Sequence, residues 1–181
     1  MARVADVPFE DLSAEQKRIY NDIAGSRSGS VRGPFALWIR NPSLAERASQ
    51  FGNALRLHGK LERRLFELAV LVVARHWSAQ YEWYTHERSA LKAGLSGEVV
   101  EAIRTGKPPE FAREDERLVY QVVSEINEHR TLGQASYDRA LAALGLDLLI
   151  ELVAAAGFYS MVAMTLNVFD APVPGGLRPL P

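Results

Sequence analysis

Apolar residues recur at helical spacing through most of this chain, whereas the alternating pattern typical of β-strands is almost absent. Ser13 and Gln16 form a capping box before the first helix, and Asn41 with Pro42 begins the second. The pattern predicts helices over 13–24, 42–57, 61–76, 78–93, 96–105, 112–129, 134–144 and 147–169. It therefore indicates an all-α fold of about eight helices, in a single domain spanning residues 1–181.

Two stretches rich in glycine and proline lie outside these helices. Residues 25–35 (GSRSGSVRGPF) are predicted to form a mobile loop that can act as a lid. Residues 170–181 (DAPVPGGLRPLP) are predicted to form an extended tail. Ser78 is the predicted N-cap of the 78–93 helix, and Gly94 the residue that ends it.

The amino-acid composition argues against several classes of function. The 181 residues include no cysteine, which excludes disulfides, thiolate metal sites and cysteine nucleophiles. The net charge is −1 and no long basic run occurs, so we expect no nucleic-acid partner. The N-terminus lacks the apolar core of a signal peptide, and polar residues interrupt the apolar stretch 146–169. We therefore expect a cytoplasmic protein without a membrane segment.

The candidate chemistry lies on the fourth predicted helix. Glu82 and His86 share a helix face with the apolar residue Trp83, so both should be partly buried. A carboxylate and an imidazole in such a setting can act as an acid–base pair near neutral pH. Glu67 lies in the apolar preceding helix and needs a partner. If the chain reverses near Ser78, Glu67 returns towards His86.

Simpler interpretations stay open at this point. A Glu–His pair four residues apart is usually a minor helix-stabilising contact. Glu67 can instead pair with Arg63 or Arg64. Glu82 and His86 have no evident third ligand, so the pattern predicts no metal site.

The stretch LERRLFELAVLVVARHWSAQYEWYTHERSALKAGLSGEVVEAI, residues 61–103, resembles the motif-bearing core of the carboxymuconolactone decarboxylase and alkylhydroperoxidase D-like family. The matching features are Glu67, the helix start at Ser78, His86, and the turn Gly94-Leu95-Ser96. Residues 33–56 and 157–174 resemble the flanking segments of longer members. The resemblance thus covers most of the chain and implies the fold of that family.

The family includes peroxidase-type and decarboxylase-type members, and the residues of this chain indicate which type it resembles. Peroxidase-type members carry two cysteines where this chain has Ala79 and Glu82. Dithiol peroxidase activity needs both thiols and is therefore excluded. Decarboxylase-type members instead show a pattern like Glu-x-x-x-His at this position, and Glu82 and His86 fit it.

The resemblance therefore implies a cofactor-free, decarboxylase-like enzyme acting on a small carboxylated lactone or aromatic-derived acid. His86 would donate a proton to carbon, with Glu82 or Glu67 orienting it. Arg32 is the first candidate to bind the substrate carboxylate and Arg64 the second. The residues expected to wall an apolar pocket are Trp38, Trp83 and Tyr84.

The resemblance further implies a homo-oligomer, a trimer or hexamer, and a Pro-rich tail that can lie on a neighbour. Two other classes of function stay open. One is a non-catalytic oligomeric scaffold or small-molecule binder. The other is an isomerase or hydrolase that uses the same Glu–His pair on another substrate.

Overall fold

The computed structural model describes residues 2–26 and 29–181, and across these ranges it contains α-helices and no β-strand. The eight α-helices are α1 (Ala14–Gly25), α2 (Pro34–Trp38), α3 (Pro42–Leu57), α4 (Arg63–His76), α5 (Gln80–Lys92), α6 (Gly97–Thr105), α7 (Glu114–His129) and α8 (Gln134–Val168). The prediction of an all-α fold is confirmed.

Helix α4 is the centre of the fold. Every residue from Arg64 to Ala74 is buried, because α5, α7 and α8 pack around this helix. Its sequence LFELAVLVVA is apolar on all sides, as expected for a helix without a solvent face. The one acid in this stretch, Glu67, is fully enclosed. Arg63 of the same helix pairs with one oxygen of Glu67, and a partner for the other oxygen must come from a neighbouring element.

The partner comes from a tight reversal between α4 and α5. Ser78 adopts a left-handed backbone conformation with φ of 49°, and its N–H donates to the carbonyl of Arg75. The prediction that Ser78 caps α5 is wrong. Ala79 occupies the N-cap position, and its N–H donates to the carbonyl of Ala74. The reversal places α5 against α4, as the predicted hairpin requires.

Helix α8 is broken at Gly145, whose backbone (φ 76°, ψ 166°) lies in a region that only glycine adopts readily. The break separates the two helices that the sequence predicts. By length and hydropathy α8 could cross a membrane, but core helices of soluble proteins share these properties. Its inner face packs on α3, α4, α5 and α7.

The loop and the tail differ from the sequence-based expectations. Residues 25–35 do not form a loop throughout, because Gly33 and Pro34 begin the short helix α2. Residues 27–28 of this predicted loop lie outside the described residues. The tail contains one 3-10 turn, Pro174–Gly176. The side chain of Gln80 holds the end of the tail through two hydrogen bonds to the backbone of Leu180.

Candidate active site

A buried hydrogen bond joins α4 to α5. Nδ1 of His86 lies 2.7 Å from Oε2 of Glu67. Glu67 is fully buried, and His86 is 9% exposed. A carboxylate on Nδ1 fixes the orientation of the imidazole and leaves Nε2 as the nitrogen available to a ligand. This arrangement is the one found where histidine transfers protons under control of a second group.

The second oxygen of Glu67 faces a cation. Nη2 of Arg63, one helical turn earlier on α4, lies 2.5 Å from Oε1. The alignment is not that of a hydrogen bond, so the contact is an ion pair. The guanidinium of Arg63 also lies over the ring of Phe66 and donates to the backbone carbonyl of Arg56, 3.2 Å away. The negative charge of Glu67 is therefore shared between Arg63 and His86.

Glu82, one turn before His86 on α5, is buried without a partner. It is 2% exposed, and neither of its oxygens has a hydrogen-bond partner among the described residues. Burial raises the pKa of Glu82 well above its usual range, because the charged form loses its hydration. The structure therefore favours a neutral carboxylic acid, with an O–H to donate, beside the imidazole.

A cavity of about 490 Å³ opens beside this group. A volume of this size suits a small organic ligand. Its lining combines polar and aromatic side chains from the segment between α1 and α2, from α3, α5 and α8, and from the tail. The residues that matter for the chemistry are Arg32, Phe35, Arg56, Tyr81, Glu82, Tyr84, His86, Arg88, Phe158 and Tyr159. The ring of Tyr159 packs edge-on against the imidazole of His86, with centroids 5.0 Å apart.

The charge of the lining is positive. Among the described residues, three arginines, Arg32, Arg56 and Arg88, line the cavity, whereas the one acid among them, Glu82, has the raised pKa described above. None of these arginines has a carboxylate within ion-pair distance among the described residues. An unneutralised cluster of guanidinium groups attracts an anionic ligand.

The structure gathers five of the eight residues that the sequence analysis singled out. His86, Glu82, Arg32 and Tyr84 line the cavity, and Glu67 lies directly behind His86. Arg32 is exposed at the cavity edge. Burial raises the pKa of the nearby Tyr81, and the positive charge of Arg32 partly opposes this rise.

The other three lie elsewhere. Arg64 is 5% exposed and is saturated by Glu62, Asp115 and Glu116, with which it ties α4 to α7. Trp83 is fully buried in the core and does not line the cavity. Trp38 packs edge-on behind Phe35, with ring centroids 5.1 Å apart. These positions leave Arg64, Trp38 and Trp83 no direct contact with the cavity.

The lining residues that sequence reasoning missed are Phe35, Arg56, Tyr81, Arg88, Phe158 and Tyr159. Arg88 shares α5 with Glu82 and His86, but helical spacing places it far around the helix from both, so no signal in the sequence indicated it. Arg56, Phe158 and Tyr159 approach from α3 and α8, so only tertiary packing brings them to the cavity. Within residues 2–26 and 29–181, no three His, Asp or Glu side chains are arranged to hold a metal ion.

Comparison with known proteins identifies the segment that carries this site. The stretch from the start of α3 to the start of α7 matches the carboxymuconolactone decarboxylase family. The match covers residues 42–114. They contain Glu67, Glu82 and His86, and they include the 61–103 core, so the resemblance stated from the sequence is confirmed. No curated protein matches the chain.

Solved structures extend the likeness from this segment to almost the whole chain. An uncharacterized peroxidase-related protein from Silicibacter sp. TM1040 superposes with a TM-score of 0.76 at 15% identity, covering 97% of this chain and 94% of that chain. The debrominase Bmp8, as a cysteine-to-alanine variant in complex with 2,3,4-tribromopyrrole, gives a TM-score of 0.75 at 12% identity, covering 96% of this chain and 92% of that chain. At such low identity, these likenesses establish the fold alone.

Proposed function

We propose that this protein is a cofactor-free acid–base enzyme that removes CO₂ from, or moves a proton on, a small unsaturated ring acid such as a carboxylated lactone. The observation that carries the proposal is the 2.7 Å hydrogen bond between His86 and Glu67 at the wall of an arginine-lined cavity. The family of residues 42–114 supports the decarboxylase chemistry.

The reaction divides into two balanced steps. The bond between the ring carbon and the carboxylate carbon breaks, CO₂ leaves, and the electron pair passes into the lactone carbonyl to give a dienolate. A proton then adds to carbon as the carbonyl re-forms. His86, as imidazolium, is the donor of that proton from Nε2, because Glu67 holds Nδ1 and stabilises the positive charge.

Glu82 has a separate role in this proposal. A neutral carboxylic acid can donate a hydrogen bond to the oxygen on which the dienolate charge gathers, as raised-pKa acids do in other acid–base enzymes. Its oxygens are closed off from solvent, so a ligand must shift the side chains that cover them. The absence of cysteine still excludes the dithiol peroxidase chemistry that the likeness to a peroxidase-related protein would otherwise suggest.

The shape of the cavity supports a small, flat substrate. Phe35, Tyr81, Tyr84, Phe158 and Tyr159 supply ring faces and edges along its wall. A protein of the same fold binds 2,3,4-tribromopyrrole, which is a small planar ring. A cavity of about 490 Å³ accommodates a single ring with its substituents.

The experiment is a turnover assay with a panel of carboxylated muconolactones, following loss of lactone absorbance together with CO₂ release. We expect turnover by the wild type and a loss of at least ~100-fold in His86→Ala. His129→Ala is the matched control, because His129 is exposed at the end of α7. No CO₂ release by the wild type across the panel would contradict decarboxylation. Equal rates in both histidine variants would contradict the role of His86.

A further inference from the structure

The cavity contains one arginine whose surroundings differ from those of the other two. We propose that Arg56, in the last turn of α3, is the residue that binds the carboxylate of the ligand and so determines the preference for anionic rings. This inference rests on the proposed function for its substrate class. Its support lies in the pairing, burial and placement of the Arg56 side chain.

Arg56 is poorly paired within the protein. Nε is enclosed and has no hydrogen-bond partner among the described residues. Its guanidinium makes one hydrogen bond to them, a long one of 3.4 Å from Nη2 to the carbonyl of Ser26. Arg64, by contrast, pairs with three carboxylates. Leaving a partly buried guanidinium without an anion costs free energy, which a bound carboxylate would recover.

Burial distinguishes Arg56 from the other arginines of the cavity. Arg32 and Arg88 are exposed, whereas Arg56 is half-buried. Attraction between a guanidinium and a carboxylate strengthens as water is removed and weakens where water and salt screen the charges. Arg32, the first candidate from the sequence, is therefore better suited to attract an anion to the entrance than to hold it.

The backbone of Arg56 is tied to the proton-transfer pair. Nη1 of Arg63 donates to the carbonyl of Arg56 at 3.2 Å, while Nη2 of the same side chain pairs with Glu67. One side chain thus connects the last turn of α3 to the carboxylate that orients His86. A ligand held by Arg56 would therefore lie in a fixed relation to the imidazole, as decarboxylation requires.

The ligand that fits this arrangement is a planar, unsaturated ring carrying a carboxylate. Its carboxylate would face Arg56, and its ring would contact Phe158 and Tyr159, which line the same cavity from α8. A guanidinium binds a carboxylate through two parallel hydrogen bonds, so it also fixes the plane of that group.

Benzoate and benzamide are suitable probes, because they share one shape and differ in charge. Binding of each would be measured by isothermal titration at two salt concentrations. We expect the wild type to prefer benzoate by at least ~10-fold, about 1.4 kcal/mol, and to lose part of this preference at high salt. Arg56→Gln should abolish the preference while leaving benzamide binding unchanged, and Arg56→Lys should retain part of it.

Arg47→Gln is the matched control, because Arg47 is exposed on the same helix and does not line the cavity. It should bind both probes like the wild type. Arg56→Gln binding benzoate as tightly as the wild type would overturn the proposal, and so would loss of the preference in Arg32→Gln or Arg88→Gln instead. If the wild type shows no turnover but prefers benzoate, and Arg56→Gln loses that preference, this inference holds while the proposed reaction fails.

Discussion

Oε2 of Glu67 and Nδ1 of His86 lie 2.7 Å apart although 19 residues separate them along the chain. On one continuous helix these residues would be roughly 28 Å apart along the axis. The reversal at Ser78, with its φ of 49°, removes that separation. The site therefore depends on the turn between α4 and α5 as much as on the residues that carry the chemistry.

Replacement of Glu82 by glutamine should stabilise the protein at neutral and higher pH. Because the folded pKa of Glu82 is raised, the folded state retains a proton that the unfolded chain releases above about pH 4. Wild-type stability should therefore fall as pH rises from about 4 towards the folded pKa, by about 1.4 kcal/mol per pH unit. Glu82→Gln removes this fall.

The measurement is urea unfolding of wild type and Glu82→Gln from pH 4 to pH 9. The two proteins should be alike near pH 4, and the variant should be the more stable by pH 8. Glu98→Gln, at an exposed position of α6, controls for the change of charge. Parallel stability curves for wild type and Glu82→Gln would show that Glu82 does not carry the raised pKa.

How much of this site the sequence predicts depends on the range of each interaction. The starts of α1, α3 and α6 are predicted correctly, because Ser13, Asn41 and Ser96 bond to backbone N–H groups within three residues. The sequence gives the α4–α5 hairpin only as a condition under which Glu67 meets His86, because Glu67 could also pair with Arg63, as one of its oxygens does. The helix caps depend on residues close together in the sequence, and the hairpin depends on the need of one buried charge for a partner.

The errors come from longer-range packing. Arg64 looks equivalent to other arginines in sequence, but Asp115 and Glu116 of α7 pair with it in the fold. Arg56 looks like an ordinary basic residue near a helix end in the sequence. It lines the cavity only because α5 and α8 pack around the same space. Ser78 has the composition of a cap, but the tight turn requires another conformation there.

Replacement of Asp115 by asparagine should weaken the link between α4 and α7 near neutral pH. Hydrogen bonds from Arg113 and Arg64 hold the pKa of Asp115 well below its usual range, although burial opposes them. A lowered folded pKa gives stability that is present above the unfolded pKa, about 3.9, and lost as pH falls through the folded value.

Asp115→Asn should therefore be less stable than the wild type at pH 7, by about 1–2 kcal/mol, the scale of a charge-assisted hydrogen bond. The difference should shrink below about pH 4 in acid unfolding followed by circular dichroism. Asp22→Asn, which removes an exposed pair with Arg18, should change stability much less. A difference that does not depend on pH would contradict the electrostatic origin.

Replacement of Gly33 by alanine should disturb both the backbone and the cavity wall. Gly33 has a φ of 58°, and an added Cβ would lie 2.7 Å from Cε1 of Tyr81. We expect a loss of about 1–3 kcal/mol in unfolding free energy, with displacement of the Tyr81 ring. Gly94→Ala is the control, because Gly94 has a φ of 95° but no atom within 4 Å of an added Cβ.

The two glycine variants separate the effect of backbone strain from the effect of a steric clash with Tyr81. Both should lose stability, but only Gly33→Ala should weaken binding of the ring probes, measured by isothermal titration. Equal binding by both variants would show that the contact between Gly33 and Tyr81 does not shape the cavity.

The expected homo-oligomer stays a prediction, and α8 carries an exposed apolar surface that would suit it. Leu146, Ile150, Val153 and Met164 are between 42% and 59% exposed and, with Gly157, recur at spacings of four, three, four and seven residues. Such a seam spans about 27 Å and matches the pattern through which helices of two copies interlock. We expect an assembly, a trimer or hexamer, that buries this seam against the seam of a second copy.

Light scattering coupled to size exclusion tests this prediction. Ile150→Lys should lower the assembled mass, because it places a charge in the seam. Leu91→Lys, at an exposed apolar position of α5, should leave the mass unchanged. A monomeric wild type, or a wild type that partitions into lipid vesicles instead, would contradict association through this seam.

The central claim is that His86, oriented by Glu67, transfers a proton to and from carbon. Hydrogen–deuterium exchange at the carbon beside the carbonyl of a muconolactone, followed by NMR in D₂O, tests it most directly, because exchange needs no loss of CO₂. We expect the wild type to catalyse exchange, and His86→Ala and Glu67→Gln to lose roughly 100-fold or more, with His129→Ala unaffected. Exchange by His86→Ala at the wild-type rate would contradict the account.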